Sequence, residues 1–508
     1  MKIERTKNAA RNLKFGAILK IYLILVPFLM RTVMLRVMGV EYLGLGGLFH
    51  SIMQTLNIAE LGVNSAMVFT MYRAIAEDDG VKIRALMKQY RRYYRLIGLF
   101  IAVVGVALVP FLPRLVSGKV PADINLYVIY LLELGTTVLT YWLFSYKNCL
   151  LSAHQRQDVS SKVGIGISIT QTVIQLLTLY ILHNYYAYLT TALVLQIASN
   201  IITAVVVTKM FPDYRPEGEL EKSELSKIHG RIRDLFFAKV AGTIVTSSDS
   251  IVISAFLGLR VLAIYQNYFY IMDAIKGFLL LVSSATIAGI GNSLITETKE
   301  KNYQDFRKLS FLMLWLITIC VCCFACMYQP FMELWVGKEH LFADPIMLLF
   351  CVYFYVYMVQ RIGIIYKDAS GIWRDDRTRT IVTALTNLVL NLAFVRWFGV
   401  YAIILSTVFS YLVVGTPWLI RNLFRLVFER SPKEYVVSLL GHTALTAGVC
   451  AACYLVSCSI PLTGIAALAV RLLIAVSLSN LALFLLYRRS AYYEQSLQLV
   501  KRLLKRSF

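Results

Sequence analysis

The sequence predicts an all-α polytopic membrane protein of about fourteen transmembrane helices, built as two parallel-repeat six-helix lobes plus a C-terminal helix pair. Three observations predict it: the hydropathy pattern, the distribution of charge and an internal repeat. Of the 508 residues, 58% are hydrophobic and 16% charged, whereas a soluble domain is about 45–50% apolar and about 25% charged. The apolar residues fall in blocks long enough for the ~20 residues that cross a bilayer core. A cytosolic enzyme, a secreted disulfide scaffold and a disordered regulator are excluded.

The first element is a basic start followed by an apolar run through Leu35, with no small-x-small cleavage site, and reads as an uncleaved span. The spans are then 15–36, 42–72, 96–113, 124–146, 163–183, 187–208, 236–257, 262–293, 309–329, 345–366, 380–395, 400–420, 436–457 and 462–487. The stretch 81–95 is basic and amphipathic and reads as a segment lying on the anionic inner leaflet. The second span, 31 residues long, would reach about 46 Å as one helix, so part of it must tilt or protrude.

Charge sets orientation. Of 51 Lys and Arg, forty fall on the side shared by both termini, five on the other side and six within spans. By the positive-inside rule both termini are cytoplasmic. This placement explains the net charge of +22 without nucleic acid as a partner.

The repeat sets the domains. Met38-Gly39-Val40-Glu41-Tyr42-Leu43 resembles Leu257-Gly258-Leu259-Arg260-Val261-Leu262 at an offset of 219, and Pro110-Phe111 and Tyr146-Lys147 recur as Pro330-Phe331 and Tyr366-Lys367 at 220. An N-lobe (1–210, spans 1–6), a cytoplasmic inter-lobe linker (211–235), a C-lobe (236–430, spans 7–12) and a segment 431–508 with spans 13–14 and a basic cytoplasmic tail follow. An even number of spans per copy gives both copies one orientation, as in parallel-repeat transporters.

Other chemistry is sparse. The nine cysteines lie in or at the ends of apolar segments, and Cys320-Val-Cys-Cys-Phe-Ala-Cys326 and Cys450-Ala-Ala-Cys453 lack the neighbouring His and polar surroundings of a metal site. They read as small packing residues; neither a metal site nor a catalytic residue is expected. The longest outer loop, about 330–344, leaves no room for the external acid/base domain of a glycosyltransferase, and no GxxxxGK[ST] loop occurs. Transport remains.

Ionisable groups inside spans are therefore the candidates, because each costs about 2.5–3.5 kcal/mol at the bilayer centre on insertion scales. They are Lys20, Arg31, Arg36, Glu60, Glu133, Asp249, Asp273, Lys276, Arg361 and Arg471. Lys20, Arg36 and Arg361 lie near span ends, where snorkelling is an alternative, and Asp273 and Lys276, three apart on one helix, also read as a self-neutralising pair. Asp249, in Thr246-Ser-Ser-Asp-Ser250 with Thr243 and Ser254, marks a wet helix face. The hypothesis is that Arg31, Lys276, Arg361 and Lys20 hold an anionic headgroup, since guanidinium and ammonium groups suit phosphate. Glu60, Asp249 and Asp273 are the ion-coupling candidates, carrying a proton or sodium ion; no other cofactor is expected.

Two passages carry a family resemblance. Arg36-Val-Met-Gly-Val-Glu-Tyr-Leu-Gly44 with Leu61-Gly-Val-Asn-Ser-Ala66, and Ser248-Asp-Ser-Ile-Val-Ile-Ser-Ala-Phe-Leu-Gly258 with Tyr265-Gln-Asn-Tyr268, resemble the leading helix pairs of Wzx-type polysaccharide (lipid-linked oligosaccharide) flippases. These belong to the multidrug/oligosaccharidyl-lipid/polysaccharide exporter superfamily. The resemblance implies a two-lobed transporter with a cationic lumen. It would flip undecaprenyl-pyrophosphate-linked sugar units across the bacterial cytoplasmic membrane for surface polysaccharide biosynthesis, by alternating access. A polysaccharide polymerase and glycosyltransferases are the implied partners. A MATE-like multidrug/cation antiporter and a lipid II flippase are the competing readings; the six intramembrane cations against four anions count against the antiporter.

Overall fold

A computed structural model describes residues 5–490 and 493–495; residues 1–4 and 496–508 of the expected cytoplasmic tails lie outside the described residues. The chain forms two compact units, Met1–Ala263 and Ile264–Phe508. Every regular element among the described residues is helical.

The first unit contains α1 (Arg5–Val37), α2 (Val40–Leu56), α3 (Val63–Ala76), α4 (Gly80–Leu108), α5 (Leu126–Trp142), α6 (Asn148–Ala153), α7 (Gln157–Leu177), α8 (Tyr185–Met210) and α9 (Lys222–Leu257). The boundary lies inside α10 (Leu259–Thr296). The second unit continues with α11 (Lys299–Val336), α12 (Asp344–Ser370), α13 (Trp373–Phe398), α14 (Val400–Phe409), α15 (Thr416–Leu423), α16 (Lys433–Cys458) and α17 (Gly464–Tyr487). A π-turn at Ser410–Gly415 joins α14 to α15, so residues 400–428 run as one helical crossing.

Among the described residues ten helical runs are long and apolar enough to cross a membrane, eleven if the pair α5–α6, bent by 48°, counts as one. The remaining expected crossings fall on α2–α3, α9 and α10. The protein is thus a multi-pass helical membrane protein.

The repeat is visible in the backbone. Gly39 and Gly258, paired at offset 219, have φ/ψ of 115°/172° and 92°/171° and start α2 and α10. Only glycine adopts such angles without strain. The third crossing of each copy, α4 and α11, begins at residues 80 and 299, again 219 apart, and its cap residue satisfies the first turn. Asp79 accepts from the Lys82 amide at 2.9 Å, and Thr298 from the Lys301 amide at 3.3 Å.

Several sequence expectations are corrected. The second span is not one long helix: α2 ends at Leu56, a 3₁₀ turn runs Asn57–Glu60, and Gly62 at φ 93° starts α3. The stretch 81–95 is continuous with the third crossing as the first half of α4, since no proline or loop separates them. Ile83, Leu86, Met87 and Tyr90 are buried there, and Lys82 ion-pairs with Glu224 on α9. The polar run 211–235 is loop only to Glu221; α9 takes the rest. The stretch 367–379, between the tenth and eleventh predicted spans, is the end of α12, a two-residue turn and the start of α13. Within it Asp376 and Arg379 are buried in a two-pronged ion pair, Nε–Oδ1 2.7 Å and Nη2–Oδ2 2.5 Å, with Asn422 donating to Asp376 at 3.1 Å.

Close packing fixes the helix registers. At Gly44 of α2 a Cβ would stand 2.2 Å from the Leu259 carbonyl oxygen, so only glycine permits this approach. In the second unit, α16 and α17 are fastened to α11. Cys322, Cys326 and Cys453 are buried there with Val449 and Ala475. Beside them runs a polar seam: Thr318 Oγ1 lies 2.8 Å from Thr446 Oγ1 and 3.1 Å from His442 Nε2, and His442 Nδ1 lies 3.0 Å from the Tyr487 hydroxyl. Trp315 closes it by donating to Asn480 Oδ1 at 3.0 Å.

Candidate functional site

Each unit carries its own cluster of intramembrane charge. In the first, Arg31 lies half-buried near the end of α1, and the Tyr188 phenol on α8 is within electrostatic reach of both Arg31 and Glu133 of α5. Tyr185, one turn earlier, stacks on Tyr188 with ring centroids 5.7 Å apart and meets Tyr42 edge-on at 5.3 Å. Tyr42 in turn donates to Asp123 Oδ1 at 2.6 Å. The sequence identified Arg31 and listed Glu133 without a role. It did not reveal the tyrosines near them, because α5 and α8 pack together only in the fold.

Glu60 ends the 3₁₀ turn that breaks the second span. Tyr94 of α4 donates to its Oε1 at 3.2 Å, and the Tyr90 hydroxyl lies 2.8 Å from that of Tyr94 and 2.9 Å from Asn64 Oδ1. Tyr141 donates to Asn57 Oδ1 at 3.1 Å and meets the Tyr94 ring edge-on. The break supplies a carboxylate where the backbone leaves the helix, and phenols from α4 and α5 line it.

Asp249 is buried on α9, 4% exposed. The other side of α9 is a packing face: Ser254, fully buried, donates to the Leu115 carbonyl at 2.7 Å and its own carbonyl accepts from the Ser117 amide at 2.9 Å. Ser247 donates to Gln54 Oε1 on α2 at 3.3 Å. Lys20 and Arg36 are exposed on α1, and Arg36 stands in its last turn, where a cation suits the helix dipole.

In the second unit the fold brings Asp273, Lys276 and Arg361 together. Lys276 Nζ is 2.6 Å from Asp273 Oδ1. The ammonium stands over three rings, Phe269 at 4.4 Å, Tyr357 at 4.5 Å and Tyr353 at 5.3 Å, a cation–π cage. The Tyr357 phenol is in turn within electrostatic reach of Arg361 and Asp273. Arg361 Nε is buried with no hydrogen-bond partner, a donor held out of water that an acceptor would satisfy. The i,i+3 pairing was legible; the cage, drawn from α10 and α12, was not.

Chemically, the two clusters offer guanidinium donors for an anion, carboxylates that can take a proton or a cation, and phenols that can serve either. The helical architecture defines a multi-pass membrane protein, with ionisable groups set among its helices. Solved structures with a similar fold include a lipid II flippase and MATE family transporters. The lipid II flippase MurJ, in an inward closed conformation, matches with a TM-score of 0.69 at 15% identity, over 94% of this chain and 99% of that one. An inward-facing multidrug resistance MATE family transporter of the MOP superfamily gives 0.62 at 13% identity over 79% and 95%. A mutant of the Vibrio cholerae MATE transporter VcmN gives 0.56 at 13% identity over 84% and 99%. No curated protein matches the chain. Residues 10–288 match the family described as polysaccharide biosynthesis protein, more than half of the sequence, and the chain belongs to that family.

Proposed function

We propose that this protein flips undecaprenyl-pyrophosphate-linked oligosaccharide units from the inner to the outer leaflet of a bacterial cytoplasmic membrane by alternating access, for surface polysaccharide biosynthesis. The observation that carries this reading is the polysaccharide-biosynthesis family match over residues 10–288. The flippase-like fold of the whole chain supports it. The protein acts as a transporter and not as an enzyme, with both termini cytoplasmic, as the excess of basic residues on that side supports. A polymerase and glycosyltransferases handle the same lipid-linked glycan.

Arg31 of the first unit and Arg361 of the second each offer a guanidinium to the headgroup, with Lys20 a further cation, while the Lys276 ammonium is taken up by Asp273. An arginine grips phosphate oxygens in two-pronged fashion, and in a medium of low dielectric the attraction is strong. Glu60 and Asp249 are the groups for coupling to a proton or sodium gradient; the phenol beside Glu60 offers a hydrogen-bond route to its carboxylate.

The test is reconstitution of the full chain in proteoliposomes with undecaprenyl-pyrophosphate glycans, scored by glycan accessibility on the far leaflet. Transport is expected for the wild type and a fall of at least ~10-fold for Arg31→Ala at equal membrane insertion. Undiminished transport by Arg31→Ala sinks the headgroup assignment. Lipid II and a quaternary ammonium drug run in parallel: exclusive movement of either converts the reading to a lipid II flippase or a multidrug antiporter.

A further inference from the structure

The two halves of the Asp273–Lys276 pair differ sharply in access. The Lys276 side chain is 6% exposed and the Asp273 side chain 52%. The ammonium spends one face on the carboxylate and turns the others to Phe269, Tyr353 and Tyr357. A phosphate approaching this place on α10 meets the carboxylate first and is repelled. Lys276, as placed, reaches no phosphate.

A group that would be attracted must donate hydrogen bonds and tolerate aromatic walls. An ionised carboxylate only accepts, with about four lone-pair sites over two oxygens; Lys276 takes Oδ1 and leaves Oδ2. Beside it stand the half-buried Phe269 and Tyr357. Sugars have this chemistry: hydroxyl donors around the ring edge and C–H faces that lie against the negative faces of aromatic rings. Tyr357 adds a hydroxyl near both Asp273 and Arg361.

We propose that Asp273 binds sugar hydroxyls of the transported glycan, and that Lys276 is a positioning residue that orients this carboxylate instead of binding phosphate. This rests on the flippase reading and divides its labour: the guanidinium of Arg361 takes the anionic headgroup, and the exposed acid takes the adjoining carbohydrate.

The experiment uses the full chain in proteoliposomes with two probes, undecaprenyl pyrophosphate bare and the same lipid bearing a defined oligosaccharide. Asp273→Asn and Asp273→Ala are expected to raise the apparent KM for the glycan-bearing lipid by about tenfold or more, the worth of a hydrogen bond to a charged group. Binding of the bare lipid stays unchanged or tightens. Lys276→Arg is expected to retain the KM, and Lys276→Met to raise it without weakening bare-lipid binding. The assignment fails if both Asp273 variants leave the KM unchanged, if bare lipid is weakened equally, or if only the pH or sodium dependence moves. A wild type that moves no glycan-bearing lipid overturns the flippase reading instead. Binding of the lipid-free oligosaccharide then decides Asp273 separately: loss in Asp273→Ala supports it, and no loss ends it.

Discussion

The two units surround their candidate carboxylates differently. In the second, Asp273 and Asp376 each have a cation three residues on, Lys276 and Arg379, so the charge is balanced within one helix. In the first, Glu60 meets Tyr94, and Glu133 lies among Tyr185 and Tyr188. A phenol can give a hydrogen bond without imposing a charge, whereas an adjacent cation holds a carboxylate ionised. The first unit thus sets phenols beside these two acids, and the second sets a cation on the same helix as each of its own. That difference argues for seeking the coupling ion at Glu60 before Asp273.

The comparison is open to attack in order of expected effect. Asp376→Ala strands Arg379, only 2% exposed, without its partner; removing one member of a buried pair costs about 3–5 kcal/mol. A large fall in Tm of the detergent-solubilised protein is expected, and an unchanged Tm breaks the claim that the second unit depends on internal ion pairs. Gly44→Ala forces a methyl into the Leu259 carbonyl oxygen and should cost about 1–3 kcal/mol by overpacking, read the same way. Tyr94→Phe removes one hydrogen bond to Glu60 and should cost about 1 kcal/mol. Its sharper readout is the pH profile of transport, which moves if this carboxylate titrates during the cycle and stays put if it does not.

The smallest effect concerns His154, 4% exposed, packed on the Phe211 ring at 4.4 Å between centroids. Burial pulls its pKa below the ordinary imidazole value, only partly offset by the Leu150 carbonyl. The folded state thus binds fewer protons than the unfolded one. Its contribution to stability is full above the ordinary pKa of about 6.5 and is lost as pH falls below it toward the folded value. His154→Phe should flatten the acid side of the Tm–pH curve; an unchanged curve shows that this ring does not titrate there.

Much of the architecture was legible because membrane crossing is a one-dimensional problem of length and hydropathy. The repeat was legible at Gly39/Gly258, where backbone geometry allows no other residue. It extends to Gly118 and Gly337, also 219 apart with φ of 88° and 87°, a pair overlooked because it lies in loops. The break at Gly62 was missed because Asn57–Glu60 continues an apolar pattern in sequence while tightening to 3₁₀ in space. Asp376 and Arg379 fall between predicted spans because five charges in six residues, 374–379, interrupt the apolar pattern; their mutual pairing keeps two of them inside the helix bundle. The sites were legible as single charges only. Tyr94, Tyr188 and the Lys276 cage are contacts between helices far apart in the chain, and no periodicity reports them.

The seam from Thr318 through His442 to Tyr487 has a mechanical consequence. Hydrogen bonds made in hydrocarbon face no competition from water, so exchanging them midway through a cycle would leave buried donors and acceptors stranded. The last two helices are bolted to α11 and travel with it as ballast. A tag or fluorophore placed on the loop between them would therefore report the motion of α11 itself.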